Sequence, residues 1–434
     1  MDSFDFVILG AGSGGIVAAI TAGRAGKTVA LIDRRPALGG TPVHSGVTPL
    51  MTFHCKRSEE GRPKNNVVAS KIPMELIEHA IELGGSPGHT PDPIGFVETV
   101  TWVEPPILAE AMEALLAFSG ATFIGGRSFA GAHVQGGRVH HIKLLNQRGK
   151  VEKIAGDYII DASGDALIFA AAGEQTVIGR PGDGLTQPMT QIFTVKDIDL
   201  GQVVETQVSQ PDDFVLGQDA KGLRENPVVG VSGYFSKVAR AHEEGWWSVP
   251  RDRILFFGEK SSGRAVINTT RVTGFDPLDS AELKAAKTEG EKQVEIVFKL
   301  LKERVPGFED AEIEGLAPAI GVRETRRIVG VKTLTEEMVL ERQKDPDIVG
   351  KGAFPIDIHN PDDAGLTSAG VEQTGWYGIP FDCCRAVKCS NLYAAGRIIS
   401  CDHRAFASVR VTPTVMSAAE GLVRRILAGR PVRL

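Results

Sequence analysis

Six residues near the N-terminus, Gly10-Ala11-Gly12-Ser13-Gly14-Gly15, carry the spacing G-x-G-x-x-G. A run of this kind works through the side chains it lacks. Gly10 permits a tight turn, Gly12 lets the backbone N–H groups around Ser13 and Gly14 approach a pyrophosphate, and Gly15 lets a helix pack closely on the strand before it. The start of that helix adds partial positive charge. Asp33 lies 23 residues beyond Gly10 and is placed to accept from ribose hydroxyls. Arg34 and Arg35 suit a 2′-phosphate, but Asp33 beside them would repel one, which disfavours NADP. Leu38-Gly39-Gly40-Thr41 lets the chain pass close to a second, long part of the ligand. Late in the chain, Val411, Thr412 and Pro413 open a helix. A helix N-terminus there suits the pyrimidine oxygen of a flavin, where negative charge develops on reduction. FAD is the dinucleotide these features fit together.

Other residue types invite catalytic roles. His403 lies in SCDHRAFASVR, just before the Val411 turn, and could exchange a proton beside a hydride transfer. The competing reading makes it a residue that holds Arg410 or the loop. His44, in GGTPVHSG, is a second candidate of the same kind. Arg323 and Arg410 could bind a substrate carboxylate or stabilise an anionic reduced flavin; plain salt bridging is their alternative. Cys383, Cys384, Cys389 and Cys401 follow neither a ferredoxin nor a zinc spacing. They read as small buried residues, no metal site is expected, and covalent flavin attachment through Cys or His stays open. The pairs Trp246-Trp247 and Trp376-Tyr377 suit a pocket wall or plain core packing.

The elements that must position these groups are legible in part. Residues 5–9 (DFVIL) form a continuous apolar run, the mark of a strand buried on both faces. A helix follows the glycines, with Gly26 as its C-terminal glycine, and 28–33 (TVALID) make a second strand. The segment 45–106 is irregular apart from helical periodicity over 74–83. Further helices are predicted over 105–118, 280–305 and 412–427, the second capped by Asp279 or Ser280 and stopped by Pro306-Gly307. Residues 133–160 read as a meander broken at Gly136-Gly137 and at 147–149, and 391–395 (NLYAA) as a late strand. A second strand–GxGxxG–helix unit is absent from the sequence. Paired cysteines near the start, which a redox-active disulfide needs, are absent too.

Composition bounds the class. With 434 residues the chain is long enough for two or three domains at ~150 residues each. Its 42% hydrophobic and 24% charged residues are those of a folded globular protein, not of a disordered or collagen-like one. A net charge of −6 argues against nucleic acid as the main partner. Five cysteines make no disulfide framework and suit a reducing cytoplasm. The first residues lack the basic start of a signal peptide, and the most apolar window, 7–22, is too short and too glycine-rich to span a bilayer.

The chain resembles the FAD-dependent oxidoreductases with a glutathione-reductase-type FAD domain. More narrowly it resembles a mostly uncharacterised bacterial group distantly related to the flavin part of heterodisulfide reductase A subunits. The segments that carry this are VILGAGSGGIVAA (7–19), LIDRRPALGGT (31–41), DYIIDASGDALIFAAAG (157–173), IGVRETRRIVG (320–330), FPIDIHNP (354–361) and YAAGRIISCDHRAFASVRVTPTVMSAAEG (393–421). The resemblance implies that Gly10, Gly12, Ser13, Gly14 and Gly15 bind the FAD pyrophosphate, and that Asp33 binds the adenosine ribose with Arg34 beside it. Gly39, Gly40 and Thr41 would lie near pyrophosphate and ribityl, and Ala162, Ser163 and Gly164 on the adenine side. Gly396-Arg397 stands where many relatives have Gly-Asp, so the ribityl contact there is made by backbone or guanidinium. Val411, Thr412 and Pro413 would face the isoalloxazine.

The expected fold is α/β: a discontinuous Rossmann-type FAD-binding domain (1–45, 107–185 and 380–434) with an inserted α+β substrate or cap domain (46–106 and 186–379). The expected function is hydride transfer between a small organic substrate and flavin N5. Two alternatives remain, a flavin monooxygenase using NAD(P)H and oxygen, and an FAD-bound electron-transfer or structural subunit of a larger complex. Substrate, electron acceptor and homo-oligomeric state stay open.

Overall fold

A computed structural model describes residues 2–57, 66–360 and 366–429. Most of the polar run SEEGRPKNN, and Pro361 of FPIDIHNP, lie outside the described residues.

The chain opens with β1 (Asp2–Leu9), α1 (Ser13–Arg24) and β2 (Val29–Ile32). Phe6, Val7 and Ile8 of β1 and all of β2 are buried, as expected of strands covered on both faces. Helix α1 buries Ile16, Val17 and Ile20, each contributing about 1.5–3 kcal/mol of transfer free energy. It ends at Ala25, with Gly26 just beyond at φ +76°. After α2 (Gly40–His44) come α3 (Lys71–Glu82), α4 (Pro105–Ser119), β3 (Thr122–Ile124) and the meander β4 (Arg127–Gln135), β5 (Arg138–Asn146) and β6 (Val151–Asp161). The turns of the meander fall at the two predicted glycine-containing breaks.

The main sheet runs β3-β2-β1-β6-β5-β4. Strands β3, β2, β1 and β6 are mutually parallel, and the meander is antiparallel. Register decides what meets at its edge. Leu9 of β1 pairs with Ile32 of β2 and with Asp161 of β6. Gly10, Asp33 and Ala162 therefore follow three aligned strand ends on one carboxyl edge, the usual ligand edge of an open α/β sheet.

A second, antiparallel sheet holds β7 (Phe193–Lys196), β8 (Val228–Gly233), β9 (Ile254–Glu259), β10 (Arg264–Ile267) and β11 (Glu312–Leu316), in the order β8-β9-β10-β7-β11. Helix α5 (Ser280–Arg304) begins at Asp279, whose carboxylate accepts from the N–H groups of Ala281 and Glu282 at 2.8 and 2.9 Å. Its Val294, Val297, Leu300 and Leu301 close a core with Phe193, Phe256, Ile267 and Phe308, separate from that of the main sheet. Trp247 packs in this second core, whereas Tyr377 is buried in the first.

The chain then forms β12 (Ile348–Gly352) and β13 (Ile356–His359), β13 pairing with β14 (Leu366–Ala369). It returns to the main sheet as β15 (Leu392–Ala394), parallel to β6, with Ala394 opposite Asp161. Helices α6 (His403–Val409) and α7 (Thr412–Ala428) close the fold. Ile72, Leu76 and Ile77 of α3, and Val349, Ile356 and Ile358 of β12 and β13, belong to the core that holds β1 and α1. The apolar stripe of α3 finds α1, α4 and α7 as neighbours.

Candidate active site

The glycine run makes the sharpest fit. A Cβ on Gly15 would stand 1.8 Å from the Gly10 carbonyl oxygen, so only glycine lets α1 start against β1. A Cβ on Gly12 would meet only the Gly40 Cα, at 3.7 Å, so the fold itself leaves room there. Gly12 is the N-cap of α1 and no side chain caps that helix, so its first N–H groups remain open to an anion. Helix α7 also starts uncapped, at Val411, with Pro413 in its first turn. The two starts converge: a Cβ on Gly14 would lie 3.1 Å from the Gly396 nitrogen and 3.3 Å from Val415 Cγ1. Two uncapped helix N-termini around a cradle of glycine backbone suit a pyrophosphate and a flavin ring carrying negative charge.

Asp33 accepts from the N–H groups of Ala11 (2.7 Å) and Arg35 (2.8 Å), which fixes its carboxylate beside the glycine turn. Arg34 is exposed. The Gly39 N–H donates to the Ala11 carbonyl at 3.0 Å, drawing Gly39, Gly40 and Thr41 to the same edge. Ala162 joins β1 through its N–H to the Leu9 carbonyl (2.8 Å), and a Cβ on Gly10 would collide with the Ala162 carbonyl. Ser163 is held by Asp161, which is fully buried. The Arg397 guanidinium donates to the carbonyls of Gly164 (2.8 Å) and Val322 (2.5 Å), and pairs with Asp165 (3.2 Å). It thus ties the end of β6 to the loop that carries Arg323.

The catalytic candidates separate. His44 sits by Arg35 and the Ala37–Leu38 backbone; burial first, then the Arg35 charge, push its pKa down. His403 donates through Nδ1–H to Glu324 Oε1 at 3.1 Å, and Glu324 also pairs with Arg327. Glu324 is fully buried and Arg327 nearly so. His403 also lines a cavity of about 520 Å³ with Gly179, Arg180, Arg327 and Thr333. That cavity shares no lining residue with the glycine run, Asp33 or Val411, so it is not the dinucleotide cleft.

Arg323 and Arg410 do come together. Both are part-exposed, and each feels the charge of Asp357. Asp357 feels both charges: burial raises its pKa, but His359, Arg410 and Arg323 together hold it below the usual carboxylate range. His359 Nε2 is 3.3 Å from Asp357 Oδ2. Burial and the positive charge of Arg323 keep this histidine well below its ordinary pKa, hence neutral. With Nε2–H donated to Asp357, Nδ1 is left as a basic lone pair, buried and without a hydrogen-bond partner among the described residues. Arg410 ends α6 and immediately precedes the open start of α7.

Sequence reasoning missed Asp357 and His359. The signal was the alternation Asp-Ile-His in FPIDIHNP, which puts both side chains on one face of a strand. Nothing in that alternation says which face meets Arg323 and Arg410.

The cysteines do not assemble a centre. All five are free and buried, and among the described residues no group of His, Cys, Asp and Glu suits a metal ion.

Fold and edge geometry thus define a Rossmann-type α/β enzyme with a dinucleotide cleft. A family model described as FAD dependent oxidoreductase matches residues 5–422, and the chain belongs to that family. Its cofactor is FAD. Over 48 residues, 11% of the chain, it is 54% identical to a dihydrolipoyl dehydrogenase of Chlamydia trachomatis, covering 10% of that protein. Over 53 residues, 12% of the chain, it is 42% identical to a soluble pyridine nucleotide transhydrogenase of Mycobacterium bovis, covering 11%. The chain thus spans about a tenth of the length of these curated relatives. Among solved structures it is similar to glycine oxidase from Geobacillus kaustophilus, with TM-score 0.49 and 12% identity, covering 100% of this chain and 97% of that one. It is also similar to L-proline dehydrogenase from P. horikoshii, with TM-score 0.45 and 13% identity, covering 99% and 94%. Among the described residues no helix is long and apolar enough to cross a membrane.

Proposed function

We propose that this oxidoreductase transfers a hydride between a small organic acid and flavin N5, with His359 as the base that takes the accompanying proton. The carrying observation is the neutral His359, fixed through Nε2 by Asp357 and free at Nδ1, beside Arg323 and Arg410. When bound, FAD supplies the two-electron acceptor. In this reading Gly10, Gly12, Ser13, Gly14 and Gly15 hold the pyrophosphate, Asp33 the ribose, and the start of α7 the flavin pyrimidine edge. Gly39, Gly40, Thr41, Ala162, Ser163, Gly164 and Gly396 shape the rest of the cradle, and Arg397 braces it. Arg323 and Arg410 orient a substrate carboxylate, and His359 Nδ1 removes the proton from the hydroxyl or amine whose carbon is oxidised. Asp357 keeps the imidazole in the tautomer that can accept. His403 acts through Glu324, the neighbour of Arg323, as a positioning residue. His44 belongs to the adenosine end of the cleft.

The test is an anaerobic screen of small carboxylic acids for bleaching of the protein-bound flavin, followed by single-turnover reduction with wild type and H359N. Bleaching by an acid, slowed in the variant, supports the reading. Oxygen uptake only when NAD(P)H and substrate are both present would replace it with a monooxygenase. Absence of turnover with stable co-purifying partners would replace it with a complex subunit.

A further inference from the structure

The second sheet brings another guanidinium to the cleft. Arg251, just before β9, is 2% exposed, and its Nε and Nη2 atoms have no hydrogen-bond partner among the described residues. It lies within electrostatic reach of Asp357, and Arg323 feels its charge. The bridges Met189 to Val272 and Thr190 to Gly321 hold the second sheet's connections against the Arg323 loop.

Among the described residues no carboxylate is bound directly to Arg251, Arg323 or Arg410. Arg323 donates to three neutral acceptors, the Pro188 carbonyl, Thr190 Oγ1 and Asn268 Oδ1. Arg410 stacks over the Phe406 ring at 5.9 Å, and its Nε has no partner among the described residues. The carboxylates nearby are mostly engaged elsewhere. Glu324 is taken by Arg327 and His403, and Asp252 by Arg253 at 2.8 Å. Among the described residues Asp357 is the carboxylate whose charge reaches Arg251, Arg323 and Arg410 together, and it is bound to His359. Among the described residues none of the three arginines makes an ion pair. Buried guanidinium groups are costly without a counter-charge, and a protein rarely keeps several in one place unless a ligand neutralises them. One carboxylate on the substrate would leave Arg251, Arg323 and Arg410 with Asp357 positively charged; two would balance these four groups, and Arg271, whose charge also reaches Arg251 and Arg323, keeps the surroundings favourable to a dianion. The cluster draws on both structural units, so a ligand held at both ends would span the cleft between them. The planar guanidinium fork matches a carboxylate, and the unpartnered atoms are Arg251 Nε and Nη2 and Arg410 Nε.

We propose that the substrate is a small dicarboxylate, held at one end by Arg323 and Arg410 and at the other by Arg251. This rests on the reading of the cleft as the substrate site.

The test uses the FAD-loaded protein, titrated by calorimetry and by flavin absorbance with malonate, succinate and glutarate. Propionate, butyrate and valerate are their singly charged counterparts, and hydrogen phosphate is a compact dianion. At least one dicarboxylate is expected to bind about tenfold or more tighter than its counterpart. R251Q should erase that difference and leave the monocarboxylate within about twofold of its former affinity, whereas R251K should keep most of it. Equal affinities for the two series in the wild type would overturn the proposal, as would failure of every acid to bind. Phosphate binding tighter than any dicarboxylate would overturn it in favour of a phosphorylated ligand. If R251Q does not fold, the wild-type comparison and R251K decide. The two readings fail separately. A monoanionic substrate whose turnover slows in H359N removes the dicarboxylate and leaves the hydride transfer. Arg251-dependent dicarboxylate binding without any flavin reduction does the reverse.

Discussion

His359 meets Asp357 at 3.3 Å through Nε2 while its other nitrogen, Nδ1, faces no hydrogen-bond partner among the described residues. A buried imidazole normally satisfies both nitrogens. One satisfied and one free is the arrangement that the proposed base requires, with the carboxylate fixing the tautomer.

H359N should retain FAD and slow flavin reduction by substrate about 10²–10⁴-fold, the usual contribution of a general base. Asparagine keeps a hydrogen bond to Asp357 and cannot titrate. Anaerobic stopped-flow reduction, with FAD occupancy measured alongside, checks this. Reduction at the wild-type rate would remove His359 from the chemistry.

The pH dependence follows from the same pair. Because the folded-state pKa of His359 lies well below 6.5, the free enzyme keeps its base unprotonated through and below that pH. The acid limb of kcat/KM should therefore fall below pH 6.5. Linkage adds a sign. Below about pH 6.5 the unfolded chain binds a proton at this histidine that the folded one refuses, so folding stability falls as pH drops. H359N should flatten that part of the stability curve, measured by urea unfolding between pH 5 and 8.

How much of this could be read from sequence varied with the range of the interaction. The strand–glycine–helix start was legible because its physics is local: an apolar run, a forced turn and an acid at the next strand end. Asp279 and Pro306 likewise bracketed α5 through neighbours in sequence. The register that sets Gly10, Asp33, Ala162 and Gly396 at one edge is a non-local fact, reached through resemblance alone. The arginine cluster was half visible. Arg323 and Arg410 stood out, but Arg251 comes from another sheet and nothing near it in sequence marks it. His403 drew attention by lying close to Val411 in sequence, whereas its ring turns to Glu324.

Gly12→Val and Gly15→Val should fail differently. At Gly12 the protein leaves space, so the variant should fold and lose FAD, because the branched side chain occupies the approach of the pyrophosphate. At Gly15 a side chain strikes the Gly10 carbonyl, so stability itself should fall, by about 2 kcal/mol or more. Bound flavin and thermal melting of the apo-protein separate the two. Full FAD occupancy in the Gly12 variant would show that the cofactor lies elsewhere.

The thiols should be inert in the folded protein. Burial drives the pKa of Cys383 and Cys401 upward, and pushes Cys384 to about 12 and Cys389 to about 11, leaving almost no thiolate at neutral pH. Iodoacetamide at pH 7.5 should leave these four unmodified until denaturant is added. Rapid labelling of the native protein at Cys383 or Cys401 would contradict the packing around them.

His403 and Glu324 form a buried hydrogen-bonded pair. Burial raises the Glu324 pKa, but the hydrogen bond from His403, the charges of His403 and Arg327 and the Gln187 N–H together hold it below the ordinary value. A depressed folded-state carboxyl contributes stability above its unfolded pKa of about 4.3 and loses it as pH falls through the folded value. E324Q should therefore reduce stability at neutral pH and soften acid unfolding below about pH 4.3. H403N should cost about 1–3 kcal/mol by leaving a buried carboxylate oxygen less well satisfied. If His403 only positions Arg323 through Glu324, H403N should raise KM for the acid substrate more than it lowers kcat, and the pH profile should keep its shape. An altered pH profile with unchanged melting temperature would make His403 a proton-transfer group after all. Thermal melts and pH-resolved kinetics on H403N and H359N, run side by side, distinguish the two histidines.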